Sequence, residues 1–285
     1  MSLPSIAKLA SKHNIKPLKR LGQNFIFDES LCDRIVTASS LAPSDIAVEV
    51  GPGPAGLTRA ILKCSPAKLL AIETDDRCMP LLEELQSHFT NLEIIHEDAK
   101  KISIAEIANK EADASAGARI ISNLPYNIGT NLVIKWLREA DAIASMTLML
   151  QKEVVDRIIA EKGSKSYGRL SVICQLVCEV KKCFDVSPKA FYPAPKVWSS
   201  IVHLQPKAKT NRPNIETLRN VEQITNTAFS GRRKMVKSSL KQLAVKNATF
   251  KDIEELLSKC GIDASMRAEN LSPADYLKLA QMIAL

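Results

Sequence analysis

Residues 46–56 read Ile-Ala-Val-Glu-Val-Gly-Pro-Gly-Pro-Ala-Gly, a short apolar run that ends in three closely spaced glycines. Such a run predicts a buried parallel strand that turns sharply into a helix beginning near Leu57. Gly51, Gly53 and Gly56 have the G-x-G-x-x-G spacing, in which missing side chains let the backbone approach a ligand. The stretch therefore predicts a nucleotide-binding turn, although a purely structural turn stiffened by prolines has the same pattern.

Polar side chains follow three more apolar runs along the chain. Glu73 closes the first run, Glu97 and Asp98 follow the second, and residues 123–126 follow the third. Because ligands collect at the carboxyl ends of strands in an open α/β sheet, we expect these side chains to surround one site. The spacing of Glu73 from Gly51 favours a carboxylate that binds ribose hydroxyls over a solvated acid at a strand end.

The tetrapeptide Asn123-Leu124-Pro125-Tyr126, placed after a fourth strand, is the signature of methyltransferases that modify exocyclic amino nitrogens with S-adenosylmethionine. Together with other motifs it closely resembles the small-subunit (16S) ribosomal RNA adenine N6,N6-dimethyltransferase family, over about the whole chain. The other motifs are Leu21–Ile26, Val48–Gly53, His96–Ala99, Phe191–Val197 and Phe229–Lys234.

The resemblance implies a class I S-adenosylmethionine-dependent methyltransferase. Its fold is α/β, a Rossmann-like sheet of seven mostly parallel strands with a reversed last hairpin, followed by a small α-helical C-terminal domain. The implied reaction is repeated methyl transfer to N6 of two adjacent adenosines in the 3′-terminal hairpin of small-subunit rRNA. We expect a cytoplasmic monomer that acts on rRNA within an immature ribosomal subunit.

The resemblance also implies which residues hold the cofactor and the target base. Two positions depart from the family pattern, because Ile26 replaces the usual leucine and Ser122 replaces a common glycine. Tyr126 would stack on the target base and Phe191 would cover its other face, although Phe191 also suits core packing, as we expect for Trp198. The implied cofactor set is Asn24, Ile26, Gly51, Glu73, Asp98 and Asn123.

The chemistry explains the residue types of the tetrapeptide. The lone pair of adenine N6 is delocalised into the ring, so the amine is a poor nucleophile until acceptors outside the ring plane hold its N–H groups. We expect the Asn123 side-chain oxygen and the Leu124 or Pro125 carbonyl to be those acceptors. Tyr126 offers a flat face to an extruded base. An ordinary strand-end turn is the alternative for an isolated tetrapeptide of this composition.

Charge and composition divide the chain into three predicted regions. Residues 1–20 contain five basic residues and no acid, which predicts a basic arm that contacts phosphates, with a solvated tail or a transit peptide as alternatives. Residues 21–204 form the predicted catalytic domain, and residues 1–204 together carry a net charge of +2. Residues 205–285 form the predicted helical RNA-docking domain and carry +6, which suits a polyanionic partner.

Two basic segments are candidate RNA contacts. The first is a Gly/Ser-rich loop in which Tyr167 lies between cations, and the second opens the basic part of the C-terminal region. A solvated loop and a solvated helical face are the alternatives. The predicted RNA-binding residues are Lys165, Tyr167, Arg169, Arg232, Arg233 and Lys234.

Several classes are disfavoured. Seven cysteines without a C-x-x-C pair argue against a disulfide framework, and four scattered histidines argue against a metal site. No apolar run approaches the length of a membrane-spanning helix, and the Asn123–Tyr126 turn has no place in a dehydrogenase. Two alternatives stay open. They are a large-subunit rRNA adenine N6-methyltransferase of the macrolide-resistance type, and a non-enzymatic assembly or transcription factor.

Overall fold

The computed structural model describes residues 4–18, 22–108, 117–241 and 252–283. The chain divides into two compact units. The first unit consists of Met1–Val155 and Lys181–Pro206, and the second of Asp156–Val180 and Lys207–Leu285. Residues 156–180 thus group with the C-terminal region, whereas the sequence analysis assigns them to the catalytic domain.

Within the described residues, seven strands form one sheet in the spatial order β4-β3-β2-β5-β6-β9-β7, and β1 pairs with β8 in a separate ribbon. β2, β3, β4, β5 and β6 run parallel, while β9 runs antiparallel to β6. The predicted α/β class with a reversed last hairpin is therefore confirmed. The strands are β1 Phe25–Ile26, β2 Ile46–Val50, β3 Lys68–Glu73, β4 Leu92–His96, β5 Ala118–Asn123, β6 Ile143–Gln151, β7 Cys178–Val186, β8 Phe191–Tyr192 and β9 Ser199–Pro206.

The glycine turn after β2 places the start of the next helix close to the ribbon. Gly51 has a φ of +72°, a backbone conformation that residues with a side chain rarely adopt. A Cβ at Gly56, the first residue of that helix, would lie 2.8 Å from the Ile26 carbonyl oxygen. The third glycine is therefore needed for the close approach of this helix to the ribbon.

Helices cover the sheet and form the second unit. Asp28 caps α2 by accepting from the Leu31 N–H at 3.1 Å, and Ser272 and Asp275 form a capping box. The helices are α1 Ile6–Lys12, α2 Glu29–Ser39, α3 Gly56–Lys63, α4 Met79–Gln86, α5 Ile104–Ala108, α6 Gly129–Arg138, α7 Lys152–Ile158, α8 Arg169–Val177, α9 Ile215–Phe229, α10 Val236–Ser239, Ile253–Lys259 and Pro273–Met282.

The segment after Gly168 explains why the compact units differ from the predicted domains. The sequence leaves Leu170–Val180 open between a strand and a buried helix, and the structure uses both, as α8 and then β7. α8 packs against α9 and against the helix Pro273–Met282, so its apolar face is buried among C-terminal helices. Packing between segments distant in sequence sets this boundary.

The predicted basic arm contains a packed helix. Ile6 and Leu9 of α1 are each 1% exposed, so they contribute to the core of the first unit. Lys12 and His13 both contact the Glu84 carboxylate at 2.7 Å. The segment has no acid of its own, but an acid from α4 pairs with Lys12. Lys19, Arg20 and Leu21 of the predicted arm and motif lie outside the described residues.

We expect the substitution Gly56→Ala to destabilise the first unit. The added methyl group meets a backbone carbonyl that cannot rotate away, which costs about 1–3 kcal/mol. This cost exceeds the gain of up to about 1 kcal/mol from better helix propensity. Urea unfolding followed by tryptophan fluorescence measures the change, because Trp136 and Trp198 both belong to the first unit.

Ser30→Ala is the matched control, because Ser30 is an exposed position of the neighbouring helix α2. It should change the free energy of unfolding by no more than about 0.5 kcal/mol. An unfolding midpoint for Gly56→Ala equal to that of the unsubstituted protein would show that α3 does not need this close approach.

Candidate functional site

A cavity of about 310 Å³ lies at the carboxyl ends of β2, β3, β4 and β5. All six residues of the predicted cofactor set line it, as do all four residues of the predicted catalytic turn. They come from the ribbon and from four different strand ends, so the parallel sheet brings them together as expected. The lining residues from these sets are Asn24, Ile26, Gly51, Glu73, Asp98, Asn123, Leu124, Pro125 and Tyr126.

Glu73 joins two loops at the floor of this cavity. Its Oε2 accepts from the Gly53 N–H at 3.1 Å, and its Oε1 accepts from the Thr74 and Asp75 N–H groups at 2.8 and 2.9 Å. Burial raises the pKa of Glu73, and the three backbone donors oppose that shift. The carboxylate therefore ties the glycine turn to the end of β3.

Glu49 is a cavity residue that the sequence analysis did not single out. It is 2% exposed, lines the cavity, and its Oε2 has no hydrogen-bond partner among the described residues. Burial raises the pKa of Glu49 to about 8, and the Glu73 carboxylate acts in the same direction. A carboxylate inside the otherwise apolar strand Ile46–Val50 was the sequence signal that could have identified it.

The segment before β1 closes one side of the cavity. The Gln23 side chain donates to Asp75 at 2.9 Å and accepts from the Leu18 N–H at 3.0 Å. Arg77 also bonds to Gln23 and to Asp75, so the segment is anchored to the loop after β3. Asn24 follows this anchor and faces the cavity with its neighbours.

The Asn123–Tyr126 turn is fixed on both sides. The Asn123 side-chain nitrogen donates to the Asn24 carbonyl at 3.2 Å, which directs the amide oxygen to the other side. The Pro125 carbonyl accepts from the Ile128 and Gly129 N–H groups at 3.1 and 3.0 Å, where α6 begins. Of the two carbonyls considered for the target amine, the Pro125 oxygen is therefore already used, which favours Leu124.

A hydrogen bond explains why a serine can stand at position 122, where the family commonly has glycine. It is fully buried, and its hydroxyl donates to the Val50 carbonyl at 2.6 Å. This bond joins the ends of β5 and β2, directly beside Asn123 and Gly51. The serine therefore holds together the two strand ends that carry the glycine turn and the catalytic turn.

The two predicted base-stacking aromatics differ in exposure. Tyr126 is half-buried, and its hydroxyl and that of Ser199 are 2.6 Å apart. Burial raises the pKa of Tyr126. Phe191 is 6% exposed and belongs to the core cluster, which fits the packing alternative. Its stacking role stays a prediction, whereas Tyr126 already faces the cavity.

In the second unit, the predicted RNA-binding residues also differ in exposure and in their hydrogen-bond partners. The prediction for Tyr167 is wrong, because the ring is fully buried, lies against Phe229, and its hydroxyl donates to the Leu271 carbonyl at 2.9 Å. Arg232 donates to the Lys165 and Tyr167 carbonyls and pairs with Glu269 at 3.3 Å. These bonds tie the Gly/Ser-rich loop to the segment that contains Arg232. Arg169 lies 3.7 Å from Glu222, whereas Lys165, Arg233 and Lys234 are exposed.

Two classes of site are not found in the part of the chain that the structure describes. There, no group of three His, Cys, Asp or Glu side chains is placed to hold a metal ion. None of the described helices combines the length and apolar character that a membrane span requires. All seven cysteines are free, and five of them are buried.

Comparison with known proteins points to one family. The chain matches the family described as "Ribosomal RNA adenine dimethylase" over residues 14–285. It is 41% identical over 285 residues to a Mesorhizobium japonicum protein named "Ribosomal RNA small subunit methyltransferase A", covering 99% of this chain and 98% of that one. A Rhodospirillum rubrum protein of the same name is 42% identical, with 99% and 93% covered.

Solved structures agree on the fold. A dimethyladenosine transferase from Plasmodium falciparum superposes with a TM-score of 0.76 at 25% identity, covering 90% of this chain and 95% of that one. The 23S rRNA methyltransferase ErmE superposes with a TM-score of 0.66 at 24% identity, covering 92% and 100%. The second likeness shows the shared fold alone.

The raised pKa of Glu49 predicts a pH-dependent cost to stability. Between pH 4.5 and about 8 the unfolded chain ionises this carboxyl while the folded chain keeps its proton. The free energy of unfolding should therefore fall with rising pH relative to the Glu49→Gln variant, by roughly 1.4 kcal/mol for each unit of pKa separation. Urea unfolding at pH 5, 6.5 and 8, followed by tryptophan fluorescence, measures this difference.

Glu83→Gln is the control, because Glu83 is an exposed carboxylate on α4. Its difference from the unsubstituted protein should stay nearly constant over the same pH range. A difference for Glu49→Gln that is equally flat would mean that Glu49 is ionised in the folded protein.

Proposed function

Because the chain belongs to the ribosomal RNA adenine dimethylase family, we propose that its cavity is where adenosines of small-subunit rRNA are methylated. The protein is an rRNA (adenine-N6,N6)-dimethyltransferase that transfers methyl groups to N6 of two adjacent adenosines. One observation carries the proposal. The Asn123–Tyr126 turn, the Glu73 carboxylate and the glycine turn line a single cavity at the switch point of a parallel sheet.

The polar groups that line the cavity support S-adenosylmethionine as its ligand. The donor carries an ammonium group, and the buried Glu49 Oε2 has no partner among the described residues. An ionised Glu49 would compensate that charge, while Glu73 would bind the ribose hydroxyls and Asp98 the adenine amine. Gly51 leaves its backbone open to the methionine part, and Asn24, Ile26 and Asn123 complete the proposed set. When bound, the donor supplies a methyl group on a positively charged sulfur.

The turn prepares the target amine for that methyl group. The Asn123 amide oxygen and the Leu124 carbonyl would each accept one N–H of adenine N6, drawing its lone pair out of the ring plane. The bond from the Asn123 nitrogen to Asn24 supports this role, because it keeps the amide from rotating. Tyr126 would stack on the extruded base, with Phe191 proposed on the opposite face.

The comparisons and the charge distribution guide the choice of substrate. Relatives at 41% and 42% identity are named as small-subunit methyltransferases, which favours that substrate over large-subunit rRNA. Intact Gly51, Glu73 and Asn123 favour an enzyme over a non-enzymatic assembly factor. We propose that Lys165, Arg233 and Lys234, with Arg169 and Arg232, contact RNA phosphates.

We also propose that the protein acts as a cytoplasmic monomer on rRNA within an immature small subunit. The resemblance to the family supports this context. Methylation of naked rRNA and of stripped subunits tests it, with the product nucleosides identified by mass spectrometry. Dimethyladenosine formed equally well on naked rRNA would refute the requirement for a subunit.

We expect Asn123→Ala to abolish most methyl transfer. Losing one positioned acceptor should lower kcat by about 10²–10³-fold, because the N6 lone pair then stays in the ring plane. Incorporation of tritiated methyl groups into immature subunits measures this, and sedimentation with the particles measures binding. Binding to the particles should persist.

Asn131→Ala is the matched control, because Asn131 is an exposed asparagine on α6, eight residues after Asn123. It should methylate at the unsubstituted rate. Undiminished incorporation by Asn123→Ala would refute the role of the turn.

Variants of Tyr126 separate its ring from its hydroxyl. Tyr126→Phe keeps the stacking face and loses the bond to Ser199, so kcat/KM for RNA should fall only a few-fold. Tyr126→Ala also loses stacking, worth about 1–3 kcal/mol, so kcat/KM should fall roughly 5- to 150-fold. Steady-state methylation of immature small subunits gives both values.

Ser199→Ala removes the same hydrogen bond from its other partner. It should match Tyr126→Phe, and the double variant should be no worse than either single one, because the two changes delete one interaction. A Tyr126→Phe enzyme as impaired as Tyr126→Ala would mean that the hydroxyl, and not the ring, is required.

A further inference from the structure

The segment 192–198, between β8 and β9, exposes aromatic surface next to the cavity. Tyr192 is 62% exposed and Trp198 is 51% exposed, with Val197 at 45% between them. Among the large apolar side chains of the described residues, these two are the strongly exposed aromatics. From the sequence we expect Trp198 in the core, and its exposure shows that this expectation is wrong. We call Tyr192, Lys196, Val197 and Trp198 the aromatic rim.

Each end of the aromatic rim is connected to a residue that lines the cavity. Tyr192 pairs with Phe25 in the β1–β8 ribbon, and Phe25 lines the cavity. Trp198 directly precedes Ser199, whose hydroxyl is 2.6 Å from that of Tyr126. An RNA strand that delivers a base to Tyr126 would therefore pass close to this rim.

The backbone of the rim is held in place although its side chains are exposed. Phe191 anchors one end in the core, and at the other end the Trp198 carbonyl accepts from the Lys152 N–H at 2.8 Å. Pro193 and Pro195 limit the conformations between these points. Exposed aromatic rings on a constrained segment lose little entropy on binding, which is typical of a recognition surface.

The charge of the segment indicates the class of partner. Residues 187–198 contain Lys189 and Lys196 and no acidic residue, and both lysines are exposed. Aromatic faces combined with cations bind unpaired nucleotides, because each base stacks on a ring while its phosphate meets a positive charge. A base-paired helix offers no free base faces to such a surface.

We propose that the aromatic rim binds the unpaired nucleotides that flank the target adenosines, with Tyr192 and Trp198 each stacking on a base. The proposal rests on the function proposed above and adds a second, separate stacking surface to it. It assigns recognition of the looped-out strand to the first unit, beside the chemistry, in addition to any phosphate contacts elsewhere. In this role the two rings dock RNA and do not touch the reacting atoms.

Tryptophan fluorescence tests this directly. The chain has two tryptophans, and Trp136 is 1% exposed whereas Trp198 is half exposed. Acrylamide quenching therefore reports mainly on Trp198. The probes are a synthetic RNA hairpin with two adjacent adenosines in its loop and a fully paired RNA of equal length. The hairpin should lower the Stern–Volmer constant and quench the emission, and the paired RNA should do neither.

Binding measurements complete the test. Trp198→Ala and Tyr192→Ala should each weaken hairpin binding by about 5- to 100-fold, while the affinity for S-adenosylmethionine, measured by calorimetry, stays unchanged. Trp198→Phe should recover most of the loss, because it restores an aromatic face. Ile215→Ala is the matched control, since Ile215 is an apolar side chain of similar exposure, 47%, in the second unit. It should bind the hairpin normally.

Several results would overturn the proposal. If the unsubstituted protein binds the hairpin but Trp198 stays equally accessible to acrylamide, the rim does not contact RNA. A Trp198→Ala variant that binds the hairpin as tightly as the unsubstituted protein does leads to the same conclusion. Self-association that Trp198→Ala abolishes would instead make the rim a contact between copies of the chain. A protein that neither binds nor methylates RNA in any form would refute the proposed function itself.

Discussion

One carboxylate holds the cavity together. Glu73 accepts three backbone N–H groups, one from the glycine turn after β2 and two from the loop after β3. Charge-assisted hydrogen bonds of this kind are stronger than neutral ones. Here they compensate for the water that the carboxylate loses when it is buried. Because both loops are tied to the same group, the distance between the turn and the proposed ribose site is set before any ligand arrives.

The surrounding elements follow from this arrangement. Ser122 joins the ends of β5 and β2, and the Asn123 side chain bonds to Asn24 in the segment that closes the cavity. Gln23, Asp75 and Arg77 then tie that segment back to the loop after Glu73. The proposed donor pocket and the catalytic turn thus share one connected set of hydrogen bonds. Glu49 is the exception, because its buried Oε2 has no hydrogen-bond partner among the described residues, and such an atom is costly unless a ligand compensates it.

Local sequence patterns predicted which residues line the cavity more reliably than they predicted which aromatic rings are buried. The glycine spacing, the strand-end acids and the Asn123–Tyr126 turn all reach the same cavity, because parallel strands necessarily present their carboxyl ends on one edge. For Tyr167 and Trp198 the predicted exposure is the reverse of the observed one. Tyr167 lies among loop cations in the sequence yet is buried against Phe229, and Trp198 follows an apolar motif yet is half exposed. Neither pattern contains the partner that decides whether the ring is covered.

The sequence by itself determined the strand–turn–helix unit, the nine cavity residues of the cofactor set and the catalytic turn, and the excess of positive charge in the C-terminal region. These depend on backbone conformation and on residue type, which are local properties. The tertiary structure alone decided that α1 packs on an acid from α4 and that α8 joins the C-terminal helices. Each of these depends on a contact between distant segments, and no spacing within one segment encodes it.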